Sequence, residues 1–357
     1  MHAANLVSDG AFAELAEHAH AADDAAIWPN ASWEVLRKTG VLRWCIPTAY
    51  GGAGLAGTSL LSGYEQLAKA CLTTCFILSQ RDAACRRLQD GNNEELRRQL
   101  LPPLANGQSF STVGLSQLTT ARQHVKSVFV AREAGSSFIL KGTIPWVTGA
   151  RQADHVIIGA VLEDGRQILA VLPTSLSGVT IGPPLELMAL LGSVTSEIVC
   201  NEVALDRKWL LAGPAERVMT LGRSGTGGLE TSCLALGLAG AAIDYLSTEA
   251  KVRLELRGTT ERLEHTRKHL QQDLHQLAQT PCTAEAAAAL RARANTLVLR
   301  ATQAALTASK GTGFLKPHPA QRWARQALFF LVWSCPRPAA DATLAYLAPI
   351  EGFDCST

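Results

Sequence analysis

The spacing of the apolar residues changes twice along this chain, and that change constrains the fold more than any single motif does. Up to about Leu104 the apolar residues recur at helical spacing, as in Leu60-Leu61-Ser62-Gly63-Tyr64-Glu65-Gln66-Leu67-Ala68. Asn92-Asn93-Glu94-Glu95-Leu96 puts an N-cap ahead of an acidic first turn. From about Phe110 to Val203 the period drops to two. Strands are predicted over 111–115, 125–132, 138–141, 155–161, 167–172, 179–181 and 196–203, with turns such as Glu163-Asp164-Gly165 and Ser177-Gly178 between them. Little helix separates these strands, so a sandwich or barrel is expected and a parallel sheet with crossover helices is not. After about Met219 helical spacing returns. Residues 229–246 read as a nearly uncharged, buried helix, and 261–279 as a helix with one seam of Leu263, Leu270, Leu274 and Leu277. The chain divides into a helical region (1–109), a β region (110–218) and a C-terminal helical bundle (219–357), an α+β fold.

Charge narrows the function classes. Lys and Arg number 33 against 31 Asp and Glu, and the basic residues are scattered, so neither nucleic acid nor a membrane surface is expected as a partner. The nine cysteines include no C-x-x-C pair and no His-bearing zinc spacing, so no metal is expected and reduced thiols are. Met1-His2-Ala3-Ala4-Asn5 does not open a signal pattern, and no apolar run of about 18 residues is seen, which predicts a soluble, cytoplasmic protein.

Within the β region, Gly142-Thr143-Ile144-Pro145-Trp146-Val147-Thr148-Gly149-Ala150 sets an indole and a hydroxyl two positions apart. Alternate residues of a strand share a face, so Trp146 and Thr148 are expected to point the same way. That pairing suits a planar, partly polar ring such as a flavin. Ordinary sheet packing gives the same pattern.

Helical, β, helical order with a Trp-Val-Thr strand resembles the acyl-CoA dehydrogenase family over nearly the whole chain. Ile46-Pro47-Thr48-Ala49-Tyr50-Gly51-Gly52-Ala53-Gly54-Leu55 is similar to that family's Pro-x-x-Tyr-Gly-Gly-x-Gly turn. Leu100-Leu101-Pro102-Pro103-Leu104-Ala105-Asn106-Gly107 is similar to its segment leading into the β domain. The resemblance implies FAD as cofactor, an acyl thioester of CoA or of a carrier protein as substrate, and assembly as a homodimer, a homotetramer or a hetero-oligomer with a related chain. It places the flavin ring against Ser116, Trp146 and Thr148, with Leu115 and Val147 beside them through their backbone.

Other parts of the family pattern are altered. The glycine-bearing loop toward the pyrophosphate is replaced by Gln117-Leu118-Thr119-Thr120-Ala121-Arg122-Gln123, where Arg122 supplies a charge in place of glycines. Arg-x-x-Phe-Gly falls on Arg253-Leu254-Glu255-Leu256-Arg257, which keeps only the arginine. Gln-x-x-Gly-Gly-x-Gly falls on residues 307–313, which keep Gly311 and Gly313 and place Lys310 beside them. The family's catalytic Glu falls on Ser334, which cannot act as that base unaided. Its alternative position falls on Gly227, three residues before Glu230, the candidate for a relocated base; an ordinary acid in the first turn of a helix is the simpler account of Glu230. Arg325 matches an arginine of the family and, with Arg122 and Ser334, is expected on the substrate side. Four activities stay open from the sequence: α,β-dehydrogenation with a displaced base, flavin-dependent monooxygenation, a degenerate subunit completing a partner's site, and a flavin-free reaction in the old pocket.

Overall fold

The computed structural model describes residues 7–119, 129–220, 228–280, 282–333 and 337–347. The chain separates into two units, Met1–Thr226 and Gly227–Thr357. The first opens with helices α1 (Asp9–His18), α2 (Ala21–Asp24), α3 (Asn30–Lys38), α4 (Gly57–Ala70), α5 (Leu72–Asp90) and α6 (Glu94–Ala105). The predicted cap of α6 is present: Asn93 Oδ1 accepts from the Leu96 N–H at 3.1 Å. Asn93 Nδ2 in turn donates to the carbonyls of Lys208 (2.7 Å) and Leu210 (3.2 Å), which fastens this helix start to the β region.

That β region comprises β1 (Ser111–Gly114), the short α7 (Ser116–Thr119), β2 (Phe129–Ala134), β3 (Ser137–Val147), β4 (His155–Leu162), β5 (Gln167–Pro173), β6 (Val179–Pro184), β7 (Ser196–Asp206) and β8 (Leu210–Ala215). They form one open sheet in the order β6-β7-β3-β2-β4-β5-β8, with β1 also paired to β4. The pairs are antiparallel except β1 with β4 and β2 with β4. β1 pairs with residues 155–158 of β4 and β2 with 161–162, so two strands succeed one another along β4. Phe129, Phe138, Leu140, Ile144, Val156, Ile158, Ile168, Leu172, Ile198 and Val203 of the sheet share a single core with Ile77 of α5.

Seven of the eight strands lie where the period-two pattern puts them, and the differences have local causes. β8 escapes the pattern because Leu210-Leu211-Ala212-Gly213-Pro214-Ala215 carries a Gly-Pro pair that reads as a breaker; β8 is an edge strand, where a missing N–H is tolerated. β6, at the other edge, carries Pro183 and Pro184 for the same reason. β3 runs on to Val147, past the expected end at 141. Residues 125–128 of the second predicted strand lie outside the described residues.

The second unit contains α8 (Leu229–Glu249), α9 (Arg257–Gln279), α10 (Ala284–Ser309), α11 (Pro319–Phe329) and α12 (Arg337–Leu347). α10 is capped by Thr283, whose Oγ1 accepts from the Ala286 N–H at 3.2 Å, and α11 starts with Pro319 behind His318, whose Nδ1 accepts from the Ala320 N–H at 3.2 Å. α8 is apolar over much of its length but holds no unbroken run of about 18 apolar residues, being interrupted at Thr231, Ser232 and Asp244. Its mean hydropathy of 1.3 is enough, by length and composition, for a membrane span, yet 78% of that stretch is buried in the fold. Small polar residues such as Thr231, Ser232 and Thr248 interrupt the apolar run without lowering its mean much. α9 buries only Leu270 and Leu274 of its predicted seam.

The turn at Pro47–Gly54 depends on Gly52, where an added Cβ would overlap the Ile46 carbonyl. Gly52→Ala is therefore expected to cost about 2–4 kcal/mol of stability. Urea unfolding of the two proteins checks this, and equal midpoints would show that the turn relaxes freely.

Candidate functional site

In the first unit the sequence candidates gather where β1 ends over β4. Gly159 of β4 has no side chain, and a Cβ there would collide with Leu118; Leu115 and Leu118, both buried, cover this patch of the sheet. α7 is thereby seated on the outer face of β4. Gln117 Nε2 donates to the carbonyls of Gly114 (3.1 Å) and Gly159 (2.7 Å), tying β1 to β4. Ser116 Oγ donates to the Pro145 carbonyl at 3.2 Å. Ser116 therefore stands next to the Trp146 segment.

The expected shared face of Trp146 and Thr148 is not found. Between Ile144 and Val147 the pairing of β3 with β7 slips: Ile144 faces Ile198, whereas Val147 faces Ser196, so β3 carries one extra residue. Trp146 takes up that bulge with φ at 61°. The bulge breaks the alternation, leaving Trp146 59% exposed and Thr148 only 3% exposed. Thr148 Oγ1 lies 3.3 Å from Thr195 Oγ1, which lies 2.9 Å from Ser193 Oγ. Behind this hydroxyl chain, the Gly149 N–H donates to the Ser193 carbonyl at 2.9 Å. Sequence reasoning missed Thr195 and Ser193, which are remote from Thr148 in the chain and carry no local motif.

Trp146 is a bulky residue in left-handed backbone, a conformation that costs on the order of 1–2 kcal/mol, with most of its ring facing out. The flat, exposed ring beside the Ser116 segment offers a stacking surface to a planar ligand. Buried Gln117 Oε1 has no hydrogen-bond partner among the described residues, so the same spot retains acceptor capacity.

In the second unit the candidates lie in three separate places. Arg253, after α8, donates from Nη1 to the Ala308 carbonyl at 2.6 Å, which brings it to the end of α10 beside Lys310, Gly311 and Gly313. Its charge is met by Glu249 at 3.6 Å and Glu255 at 3.3 Å. A backbone hydrogen bond, with Arg253 and Lys310 adding their charges, outweighs desolvation and holds the Glu255 carboxyl below its ordinary range. The two glycines differ in cause. Gly313 is required by its own turn, since a Cβ would press on Ser309, whereas a Cβ at Gly311 would meet open space.

Glu230 lies in the first turn of α8, roughly 30 Å along that helix from Arg253. Its Oε2 is 2.8 Å from where a Gly228 Cβ would sit, so the carboxylate curls back over the start of its own helix. Arg325 on α11 donates from Nε to Gln321 Oε1 at 3.0 Å. Arg122 and Ser334 lie outside the described residues, as do Gly227 and Cys335.

Comparison with known proteins follows the same lines. Residues 3–108 match the family described as acyl-CoA dehydrogenase, N-terminal domain. The chain is 29% identical over 255 residues to a Bacillus subtilis (strain 168) protein named probable acyl-CoA dehydrogenase YngJ, an alignment covering 70% of this chain and 67% of that one. It is 25% identical over 248 residues to the mitochondrial short-chain specific acyl-CoA dehydrogenase of Mus musculus, covering 66% of this chain and 59% of that one. The matched part thus spans about three fifths to two thirds of these relatives. In fold it is similar to butyryl-CoA dehydrogenase from Megasphaera elsdenii, with a TM-score of 0.83, 20% identity and 96% of each chain covered.

If Trp146 serves a ligand and not the fold, Trp146→Gly should leave thermal stability within about 0.5 kcal/mol of the parent, because glycine accepts positive φ. Trp146→Val should lose about 1–2 kcal/mol at the same backbone. Thermal melts of both variants decide, and a large loss in the glycine variant would make the indole a packing residue after all.

Proposed function

For this chain, which belongs to the acyl-CoA dehydrogenase family, we propose FAD-dependent α,β-dehydrogenation of an acyl thioester. The observation that carries this reading is the exposed Trp146 ring, held in strained backbone next to Ser116 on a β scaffold of the same fold. Leu115, Ser116, Trp146 and Val147 hold the ring system, and Thr148 supports them from behind. Trp146 stacks on one face of it. Ser116 offers a hydroxyl that can leave the Pro145 carbonyl, and Thr148, backed by Thr195 and Ser193, stiffens the strand end behind it. Arg253, Gly311 and Gly313 are assigned to the cofactor's phosphate side, with Gly311 leaving room for close backbone approach. FAD, when bound, supplies the acceptor for the β-hydrogen and its electron pair.

The chain must then supply a base for the α-hydrogen. Ser334 replaces the family's usual acid, and we assign the role to Glu230. To act, its carboxylate swings away from the start of α8 and takes the α-proton, leaving a carbon–carbon double bond conjugated with the thioester carbonyl. The start of α8 is where the side chain rests between turnovers. Arg122, Arg325 and Ser334 are assigned to the acyl thioester and its carrier, and assembly as a homodimer or homotetramer is part of the same reading.

The purified protein should carry flavin absorbance in the visible that bleaches anaerobically with an acyl-CoA. Glu230→Gln should keep the colour and slow the bleaching by about 10²–10⁴-fold. Trp146→Gly should weaken FAD retention by about tenfold, near 1.4 kcal/mol. Bleaching at the parental rate in Glu230→Gln would remove the base assignment, and a colourless parent that cannot be reconstituted with FAD would remove the reaction.

A further inference from the structure

Cys45 and Cys85 meet inside the helical part of the first unit, at a place the proposed reaction does not use. Cys45 enters the Pro47–Gly54 turn, and Cys85 sits on α5. Their sulfurs and a carboxylate oxygen of Asp82 all lie within 4.8 Å of one another, and all three residues are buried. Cys45 is already bound to α5 through its backbone, since Gln89 Nε2 donates to its carbonyl at 3.1 Å.

The surroundings distinguish a thiol site from a cation site. Both Asp82 oxygens are taken: Oδ2 accepts from the Tyr64 hydroxyl at 2.6 Å and Oδ1 from Arg81 Nη1 at 2.6 Å. Arg81 is itself buried and donates its other terminal nitrogen to the Leu104 carbonyl. A metal ion placed among these three side chains would displace those bonds and face a fixed guanidinium. An anionic sulfur is favoured by the same guanidinium. Burial pushes the Cys85 thiol up, but hydrogen bonding from Cys45 and the charges of Arg81 and Arg86 outweigh it and hold Cys85 below its ordinary range. Cys45 is held well above its range by that same hydrogen bond and by burial, so the proton of the pair resides there. The other buried thiols show the contrast: burial raises Cys75 and pushes Cys200 up to about 12.

We propose that Cys45 and Cys85 are an oxidation site, closing to a reversible disulfide with hydrogen peroxide as oxidant. The Cys85 sulfur attacks one peroxide oxygen; a sulfur–oxygen bond forms, the oxygen–oxygen bond breaks, and the departing oxygen leaves as water after taking a proton. Cys45 then attacks the Cys85 sulfur, the sulfur–sulfur bond forms, and the hydroxyl leaves with the Cys45 proton as a second water. The two thiols lose two electrons, and the peroxide gains them. Closing the gap to a bond of about 2.04 Å needs rotation of both side chains and a small shift of the turn. The product fastens the Pro47–Gly54 turn covalently to α5, the helix whose Ile77 enters the sheet core.

Native protein treated with hydrogen peroxide, then denatured, alkylated and digested, should yield the Cys45 and Cys85 peptides joined and two hydrogens lighter than the separate thiols. Dithiothreitol should return both to alkylation, while Cys75 and Cys200 stay alkylated throughout. In Cys45→Ser the sequence stops after the first step, so dimedone should label Cys85; should that variant not fold, the joined wild-type peptides decide alone. The proposal is overturned if Cys45 and Cys85 remain fully alkylated at a peroxide dose that oxidises the exposed Cys282, or if either pairs with another cysteine. Stoichiometric zinc in the purified protein, released only when these two thiols are blocked, would overturn it in favour of a metal site.

Discussion

The edge of β4 is the constraint on which the first unit depends. Two strands claim it in succession, β1 along 155–158 and β2 along 161–162, so the sheet divides there. β4 is consequently buried on both faces: Val156, Ile158 and Ala160 enter the shared core, while Ile157 and Gly159 lie on the other side. Gly159 is what lets Leu118 sit down on that second side. From that contact follow the position of α7, the bond from Ser116 to Pro145 and the placing of Trp146.

How much of this the sequence carries differs by physical scale. Period-two alternation is local and marks strands such as β4 and β5 within a residue or two of their ends. The cap at Asn93 is equally local. Register is not: the slip between Ile144 and Val147 is a relation between β3 and β7, and no residue near Trp146 announces it. Reading Trp146 and Thr148 as alternate residues of a regular strand therefore predicts a shared face that the bulge removes. The hydroxyl chain through Thr195 and Ser193 was hidden for the same reason, since it exists only once β7 lies against β3.

That geometry alters what the Trp-Val-Thr segment can do. Two side chains on one face would form a single contact surface. A bulge separates them instead, sending the indole outward and the hydroxyl inward to partners that fix it. Strain of this sort persists only where neighbouring pairs over-determine it. Here Ile144 with Ile198 on one side and Val147 with Ser196 on the other leave the intervening residues no alternative path.

The second unit shows why loss of individual motif residues need not erase a motif's place. The Phe-Gly after Arg253 is gone, yet Arg253 still reaches the end of α10, because it bonds a backbone carbonyl and no particular side chain. Its charge has meanwhile been matched by Glu249 and Glu255. An arginine so balanced presents little net positive charge to a pyrophosphate, and these partly exposed pairs are screened further by solvent. On the proposed reading, FAD affinity in this chain leans on the stacking surface at Trp146 more than on charge at Arg253. Dependence on salt should then be weak, because stacking and apolar contact are insensitive to the screening that dissolves ionic attraction.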